Sequence, residues 1–266
     1  MRQMETRRMC PHCRAFITTS DRICPYCNEK VGARAIDRRN PSPILGVIPH
    51  AQFITAVLLL INIAIYIASS LNPNLVEAGA KVRLAIREGQ WWRLVTAGFL
   101  HGGLLHIGMN MWVLFDVGGQ VEQIYGASRM LVIYFISTIA GFYLSYIWTP
   151  NPSLGASAAI MGLIGAMIAL SVHHRSAVTA AIRATYIRWV IYILLIGLLP
   201  GIGIDNAAHV GGLAAGFVVA YFAGLPRWEG SAAEQAWRVA SYICIGVTAF
   251  CFFEMYQWLT RAPQQF

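Results

Sequence analysis

Four polar residues lie at the start of three long apolar stretches of the sequence. Ser157 opens one stretch, His209 another, and His106 and Asn110 fall in the first turns of a third. Polar and ionisable side chains are costly inside a membrane-spanning segment, so these four are candidates for function. A serine becomes a nucleophile when a neighbouring base takes its proton, and histidine is the usual base. The residue types therefore favour acyl-transfer chemistry, with Ser157 as the nucleophile and His209 as the base.

His106 and Asn110 are candidates to stabilise an oxyanion. They are four residues apart and share one face of a helix, and with the backbone N–H of Ser157 they can donate to a developing negative charge. Ordinary structural roles explain each residue alone: a serine at a helix start is usually an N-cap, and a histidine in a membrane helix can simply bond to a neighbouring helix. The occurrence of all four at one depth favours a catalytic site.

Small residues predict how the serine and the histidine meet. Both of their stretches carry small residues four positions apart: Ala158, Gly162 and Ala166 in one, Gly212 and Gly216 in the other. This spacing permits close approach of two membrane helices. We therefore expect Ser157 and His209 to come within contact range.

Four cysteines near the N-terminus form a second chemically active group. They make two Cys-x-x-Cys pairs separated by ten residues: Cys10, Cys13, Cys24 and Cys27. Two such turns complete a tetrahedron of thiolates, which is typical of a structural Zn²⁺ site, and so short a segment needs a metal to fold. Two disulfides or an iron site are the alternatives. Because cysteine fills all four positions, the metal has no open position for catalysis.

The elements that must position these residues are apolar. The chain of 266 residues is 57% hydrophobic and 12% charged, against roughly 25% charged in soluble domains, and its mean hydropathy is +0.54. This excludes a disordered chain, argues against a soluble enzyme and predicts an all-α polytopic membrane protein. Seven apolar stretches approach the length of a membrane span: 52–70, 104–125, 129–147, 156–172, 187–204, 207–224 and 237–259.

The distribution of Lys and Arg predicts the orientation. With the N-terminus inside the cell, fifteen of the 20 basic residues lie inside and five outside, and the cysteines lie in a reducing compartment, which agrees with a metal site. Residues 1–40 contain no apolar run, so no secretory signal peptide is expected. The sequence thus predicts a multi-pass protein of the plasma (inner) membrane with its C-terminus outside. The net charge of +8 indicates topology and lipid contact, not nucleic-acid binding.

The composition changes along the chain and predicts four regions. Residues 1–40 form a zinc-ribbon-like module, 41–50 a proline-rich linker, 51–225 a core of six helices, and 226–266 a seventh membrane helix and a tail. The long outer loop, 71–103, alternates basic and apolar residues before two tryptophans. This pattern favours an interfacial helix that caps the bundle.

At these positions the sequence resembles the rhomboid family of intramembrane serine proteases. The resemblance covers about residues 50–225. It rests on the following motifs: Trp92-Arg93, His101-x4-His106-x3-Asn110, Gly118-Gly119-x2-Glu122-x3-Gly126, Gly155-Ala156-Ser157 with Gly162, and Ala208-His209-x-Gly211-Gly212-x3-Gly216.

This resemblance implies a fold and a function. It implies a rhomboid-like six-helix bundle, to which the seventh helix is added as in some members, and a Ser–His dyad without an acid. Ser157 matches the nucleophile, His209 the base, and His106 and Asn110 the oxyanion pair. Family members cut transmembrane segments of membrane proteins near the outer membrane face and need no cofactor for catalysis. The implied partners are membrane-protein substrates and the lipid bilayer.

Two positions depart from the family pattern. Ala158 stands where the family usually has glycine, and Met161 where it usually has Tyr or Phe. These departures slightly favour a catalytically inactive rhomboid-like binder of membrane proteins, whereas the four intact polar residues favour a protease. A small transporter or channel is a third hypothesis. The lack of an internal repeat in the sequence argues against it.

Overall fold

The computed structural model describes residues 7–10, 12–18, 20–31, 52–174, 176–227 and 230–261. The predicted linker, 41–50, lies outside the described residues. At the N-terminus, strands β1 (Arg7–Met9) and β2 (Phe16–Thr18) pair antiparallel, with Arg8 opposite Ile17.

The rest of the described chain is helical. Its helices are α1 (Phe53–Leu71), α2 (Asn74–Gly79), α3 (Arg83–Arg87), α4 (Arg93–Thr96), α5 (Leu104–Val113), α6 (Gly119–Tyr125), α7 (Ala127–Trp148), α8 (Ser157–His173), α9 (Ala177–Ile196), α10 (Asn206–Ala223) and α11 (Ala232–Arg261). A 3-10 turn (Ala97–Phe99) follows α4, and a π-helical segment (Leu114–Gly118) joins α5 to α6. Helices α1, α7, α9, α10 and α11 are long and apolar enough to cross a membrane. The protein is therefore an all-α, multi-pass membrane protein.

Helix α8 lies at the centre of the bundle. Thirteen of its 17 residues are buried, and it packs against α7 and α10. The hydroxyl group of Tyr125, at the end of α6, donates to the carbonyl of Ala166 in α8. Helices α1, α9 and α11 expose most of their apolar side chains, as expected of helices that face lipid.

The hydrogen bonds of two buried carboxylates show that α1, α7 and α11 begin on the same side of the bundle. The carboxylate of Glu122, at the end of α6, accepts from the backbone N–H groups of Ile54 and Thr55 at 2.9 and 2.8 Å. Arg129, near the start of α7, donates to both carboxylate oxygens of Glu234 in α11 at 2.7 Å. Because α11 begins on the side where α1 begins, its far end lies on the opposite side.

The fifth apolar segment differs from its prediction. Helix α9 spans Ala177–Ile196, not 187–204, because Ser176 starts it with a capping box: Ser176 accepts from the N–H of Thr179 and Thr179 accepts in return. Residues 177–186, which lie between the predicted fourth and fifth segments, are therefore helical. The predicted segment began after Arg183, although the whole helix is apolar enough to cross a membrane.

The interfacial interpretation of the outer loop is also wrong for two of its basic residues. Between α1 and α5 the chain forms the three short helices α2 to α4. Within it Lys81 is fully buried and Arg93 is 2% exposed. The guanidinium of Arg93 donates to the carbonyls of Glu77 and Ala80 at 2.6 and 2.8 Å. Arg93 therefore holds the loop together from within.

We expect the Glu122→Gln substitution to destabilise the fold. Glutamine offers one oxygen instead of two and turns an amide N–H toward the donors at the start of α1. An unpaired buried donor costs about 1–3 kcal/mol, so the thermal midpoint in detergent should fall. The exposed Glu88, changed to Gln, is the matched control. Equal midpoints for both variants would contradict this role of Glu122.

Candidate active site

Helices α8 and α10 approach each other to backbone contact. A Cβ atom added at Gly212 would lie 2.0 Å from the carbonyl oxygen of Ala158, and one added at Gly216 would lie 2.1 Å from that of Gly162. Real Cβ atoms do not come so close, so glycine is required at both positions. The small residues predicted to allow close approach therefore lie at the interface itself.

Close packing brings Ser157 and His209 together. Ser157 is the first residue of α8, and His209 lies in the first turn of α10. His209 Nε2 lies 2.9 Å from Ser157 Oγ, and the histidine is 5% exposed. Its Nδ1 has no hydrogen-bond partner among the described residues. If Nδ1 carries the imidazole proton, Nε2 is free to accept the proton of the serine hydroxyl.

Asp205 fixes the start of the helix that carries the histidine. Its carboxylate accepts from the N–H of Ala208 at 3.0 Å and from the hydroxyl of Ser145 in α7, and its carbonyl accepts from the N–H of His209 at 3.1 Å. The sequence analysis missed this residue. The signal was present, because an aspartate directly before an apolar helix is a preferred N-cap.

His106 lies against the turn that precedes the serine. Gly155 has φ +127°, and a Cβ there would lie 2.7 Å from His106 Nε2, so the ring covers the backbone two residues before Ser157. Asn110 is buried, and its amide donates to the carbonyl of His106 at 2.9 Å. The structure thus brings His106 beside Ser157, whereas the Asn110 amide bonds within its own helix.

His101 also contacts the turn that precedes Ser157. Its Nε2 lies 3.5 Å from the N–H of Ala156, and its ring contacts that of His106 with centroids 5.1 Å apart. Burial and, to a smaller extent, the neighbouring His106 lower the pKa of His101 to about 4. The imidazole is therefore neutral near pH 7, and its Nε2 can accept from the backbone.

The two departures from the family pattern fit their surroundings. Ala158 packs in a small apolar cluster with Phe142 and Ala208, and a Cβ added at Gly141 of α7 would lie 2.8 Å from its methyl group. The methyl is accommodated because glycine stands opposite it. Met161 is 1% exposed and belongs to the main apolar core.

The four N-terminal cysteines converge on one point. Their sulfur atoms all lie within 4.8 Å of one another, with Cys10 and Cys27 at 3.7 Å and Cys13 and Cys24 also at 3.7 Å. A tetrahedral Zn²⁺ with Zn–S bonds of about 2.3 Å has sulfurs about 3.8 Å apart, whereas a disulfide bond is only about 2.05 Å long. All six cysteines of the chain are free. The thiols therefore fit a metal ion better than two disulfides.

Comparison with known proteins decides the family. The Rhomboid domain matches residues 88–225, which is just over half of the chain and includes all four predicted active-site residues. The chain belongs to the rhomboid family. The six-helix bundle with its added seventh helix is thus a rhomboid fold, and it carries a four-cysteine module at its N-terminus.

Individual relatives include both proteases and an inactive protein. The rhomboid chain is 31% identical over 205 residues to "Rhomboid-like protease 3" of Toxoplasma gondii, a match that covers 73% of this chain and 75% of the relative. It is 39% identical to "Rhomboid protease GluP" of Bacillus subtilis, over 60% of this chain and 31% of that protein. It is 40% identical to "Inactive RHOMBOID-like protein 8" of Arabidopsis thaliana, over 46% of this chain and 35% of that one. The chain therefore spans about a third of the length of the latter two proteins.

We expect the Gly212→Ala substitution to separate α8 from α10. The added methyl meets a backbone carbonyl of Ala158, which cannot turn away. Overpacking of this kind costs roughly 1–3 kcal/mol, so the thermal midpoint in detergent should fall. Gly246 of α11 is the matched control, because an added Cβ there has no atom within 4 Å. An unchanged midpoint for Gly212→Ala would show that the helices do not touch here.

Proposed function

We propose that this rhomboid is an intramembrane serine endopeptidase that cleaves transmembrane segments of membrane proteins near the outer membrane face. The observation that carries the proposal is the 2.9 Å contact between Ser157 Oγ and His209 Nε2. It joins a nucleophile and a base on two helices in backbone contact, inside a membrane domain. The relatives from Toxoplasma gondii and Bacillus subtilis, both named as proteases, support the same activity.

The proposed reaction uses this pair twice. Ser157 Oγ attacks the carbonyl carbon of the scissile peptide bond while His209 Nε2 takes the hydroxyl proton. The C–N bond then breaks, and His209 returns the proton to the departing amine. Water then attacks the acyl-enzyme with His209 again as the base. The product acid departs, and Ser157 regains its hydroxyl group.

The tetrahedral intermediates carry a negative charge that needs donors. The backbone N–H of Ser157 lies at the start of α8, where the helix dipole is positive. His106 lies beside Gly155, within one turn of the same point, and is the proposed side-chain donor. Asn110 is the second proposed donor, and it requires its amide to turn away from the carbonyl of His106.

We also propose a topology and a role for the cysteine module. The module of residues 1–40 binds one structural Zn²⁺ inside the cell through Cys10, Cys13, Cys24 and Cys27, and no catalytic step passes through the metal. Residues 51–225 form the protease core, 226–266 the seventh helix and tail. We place the protein in the plasma (inner) membrane, and the excess of basic residues on the N-terminal side supports an orientation with the C-terminus outside.

Replacement of either member of the dyad should abolish proteolysis. We expect Ser157→Ala and His209→Ala each to reduce cleavage of a model transmembrane substrate below a few per cent of wild type, because loss of one member disables the pair. Cleavage in proteoliposomes, followed by gel and mass spectrometry, measures this. The exposed Ser70, changed to Ala, controls for expression and reconstitution.

Two results would contradict the proposal in different ways. Substantial cleavage by either dyad variant would remove that residue from the site. No cleavage by a folded wild-type protein that still binds the substrate would favour the alternative, an inactive rhomboid-like binder.

Metal analysis tests the cysteine module separately. The purified protein should contain one Zn²⁺ per chain, and the double substitution Cys24→Ser with Cys27→Ser should lose it while the dyad still cleaves substrate. The Cys251→Ser variant should keep its zinc, because Cys251 lies in α11. A double variant that retains the metal would show that these thiols do not hold it.

A further inference from the structure

Lys81 is a buried cation outside the groups used so far. It lies between α2 and α3 and is fully buried. Its Nζ donates to the carbonyl of Thr149 at 2.7 Å and to that of Asn151 at 2.8 Å. Its backbone exchanges two hydrogen bonds with Ser153, at 2.9 and 3.1 Å. A single residue thus contacts three positions of the chain that links α7 to α8.

That linking segment leads directly to the serine. Residues 149–153 follow the end of α7, and Ser157 comes four residues after Ser153. Asn151 and Pro152 are exposed, so apolar packing contributes little to holding this part of the segment. The hydrogen bonds with Lys81 therefore hold residues 149–153 in place. Farther on, the N–H of Gly155 donates to the carbonyl of Ala97 at 2.9 Å.

The charge of Lys81 is balanced by its surroundings. The two carbonyls that it binds lie just beyond the C-terminal end of α7, where the helix dipole is negative. Burial lowers the pKa of Lys81, the carboxylate of Asp205 acts in the opposite direction, and Arg83 lowers it slightly. Asp205 caps the helix of His209. Lys81 therefore binds the segment that precedes Ser157 and interacts electrostatically with the residue that caps the helix of His209.

We propose that Lys81 is a positioning residue for the nucleophile, which ties down residues 149–153 so that Ser157 Oγ stays within reach of His209 Nε2. The proposal rests on the proposed protease function. Without the ammonium group, the carbonyls of Thr149 and Asn151 lose their donor and the segment can shift. A displacement of about 1 Å at a reacting atom is enough to cost on the order of 100-fold in rate.

The rate at which a fluorophosphonate modifies the serine tests this directly, because it reports on Ser157 without a protein substrate. Lys81→Met keeps the length and removes the charge and the donors, and Lys81→Gln keeps an N–H donor. Arg87→Met, on an exposed residue of the same loop, is the matched control. Rates are measured only on protein that elutes as a folded species in size-exclusion chromatography.

We expect labelling of folded Lys81→Met to be about 10- to 100-fold slower than that of wild type, with Lys81→Gln in between and Arg87→Met unchanged. With a transmembrane substrate, kcat should fall while KM stays within about twofold, since the substitution leaves the apolar surfaces of the bundle unaltered. A purely structural role would lower stability without changing the rate per folded molecule.

Three results would overturn the inference. Folded Lys81→Met that labels at the wild-type rate shows that Lys81 does not position the serine. Failure of both Lys81 variants to fold shows that the residue supports the fold alone. A folded wild-type protein that is not labelled at Ser157 removes the proposed function itself, and this outcome is distinct from the other two.

Discussion

The backbone contact between α8 and α10 is the constraint on which the site depends. Inside a bilayer no hydrophobic force drives one helix onto another, so helix pairs are held by close van der Waals packing and by polar bonds. Gly212 and Gly216 let the two backbones touch along one edge. Because both helices begin at the same end of the bundle, their first turns meet there, and these turns contain Ser157 and His209. A side chain at either glycine would widen the gap between Ser157 and His209.

Polar ties at the ends of the helices complete this arrangement. Backbone groups that lie at a helix end within the membrane need partners, since no water is available. Glu122 supplies them for the start of α1, Asp205 for the start of α10, and Lys81 for the chain that leaves α7. Each tie joins a charged side chain to a backbone group, so it fixes a chain direction as well as a distance; Glu122 and Lys81 are buried and Asp205 is half-buried. The ties at Lys81 and Asp205 lie at the end that carries Ser157 and His209.

Sequence patterns predicted the apolar segments and the residues with reactive side chains better than they predicted the connections. The helical spacing of glycines in two segments was sufficient to expect contact between Ser157 and His209, and the paired cysteines to expect a cluster. The start of α9 was missed because its capping box and Arg183 precede the most apolar part of the helix. Burial of Lys81 and Arg93 was missed because their partners are backbone carbonyls far away in the sequence, which no local pattern records. The role of Asp205 was missed although its place directly before an apolar helix is typical of an N-cap.

The pairing of Ser157 with His209 is tested most directly by mapping a covalent adduct. The purified protein is treated with a fluorophosphonate probe, digested, and its modified peptide is identified by mass spectrometry. A nucleophile activated by this histidine predicts one adduct, on Ser157, which is absent when the same treatment is applied to His209→Ala. An adduct on another serine, or equal modification of Ser157 without the histidine, would contradict the pairing.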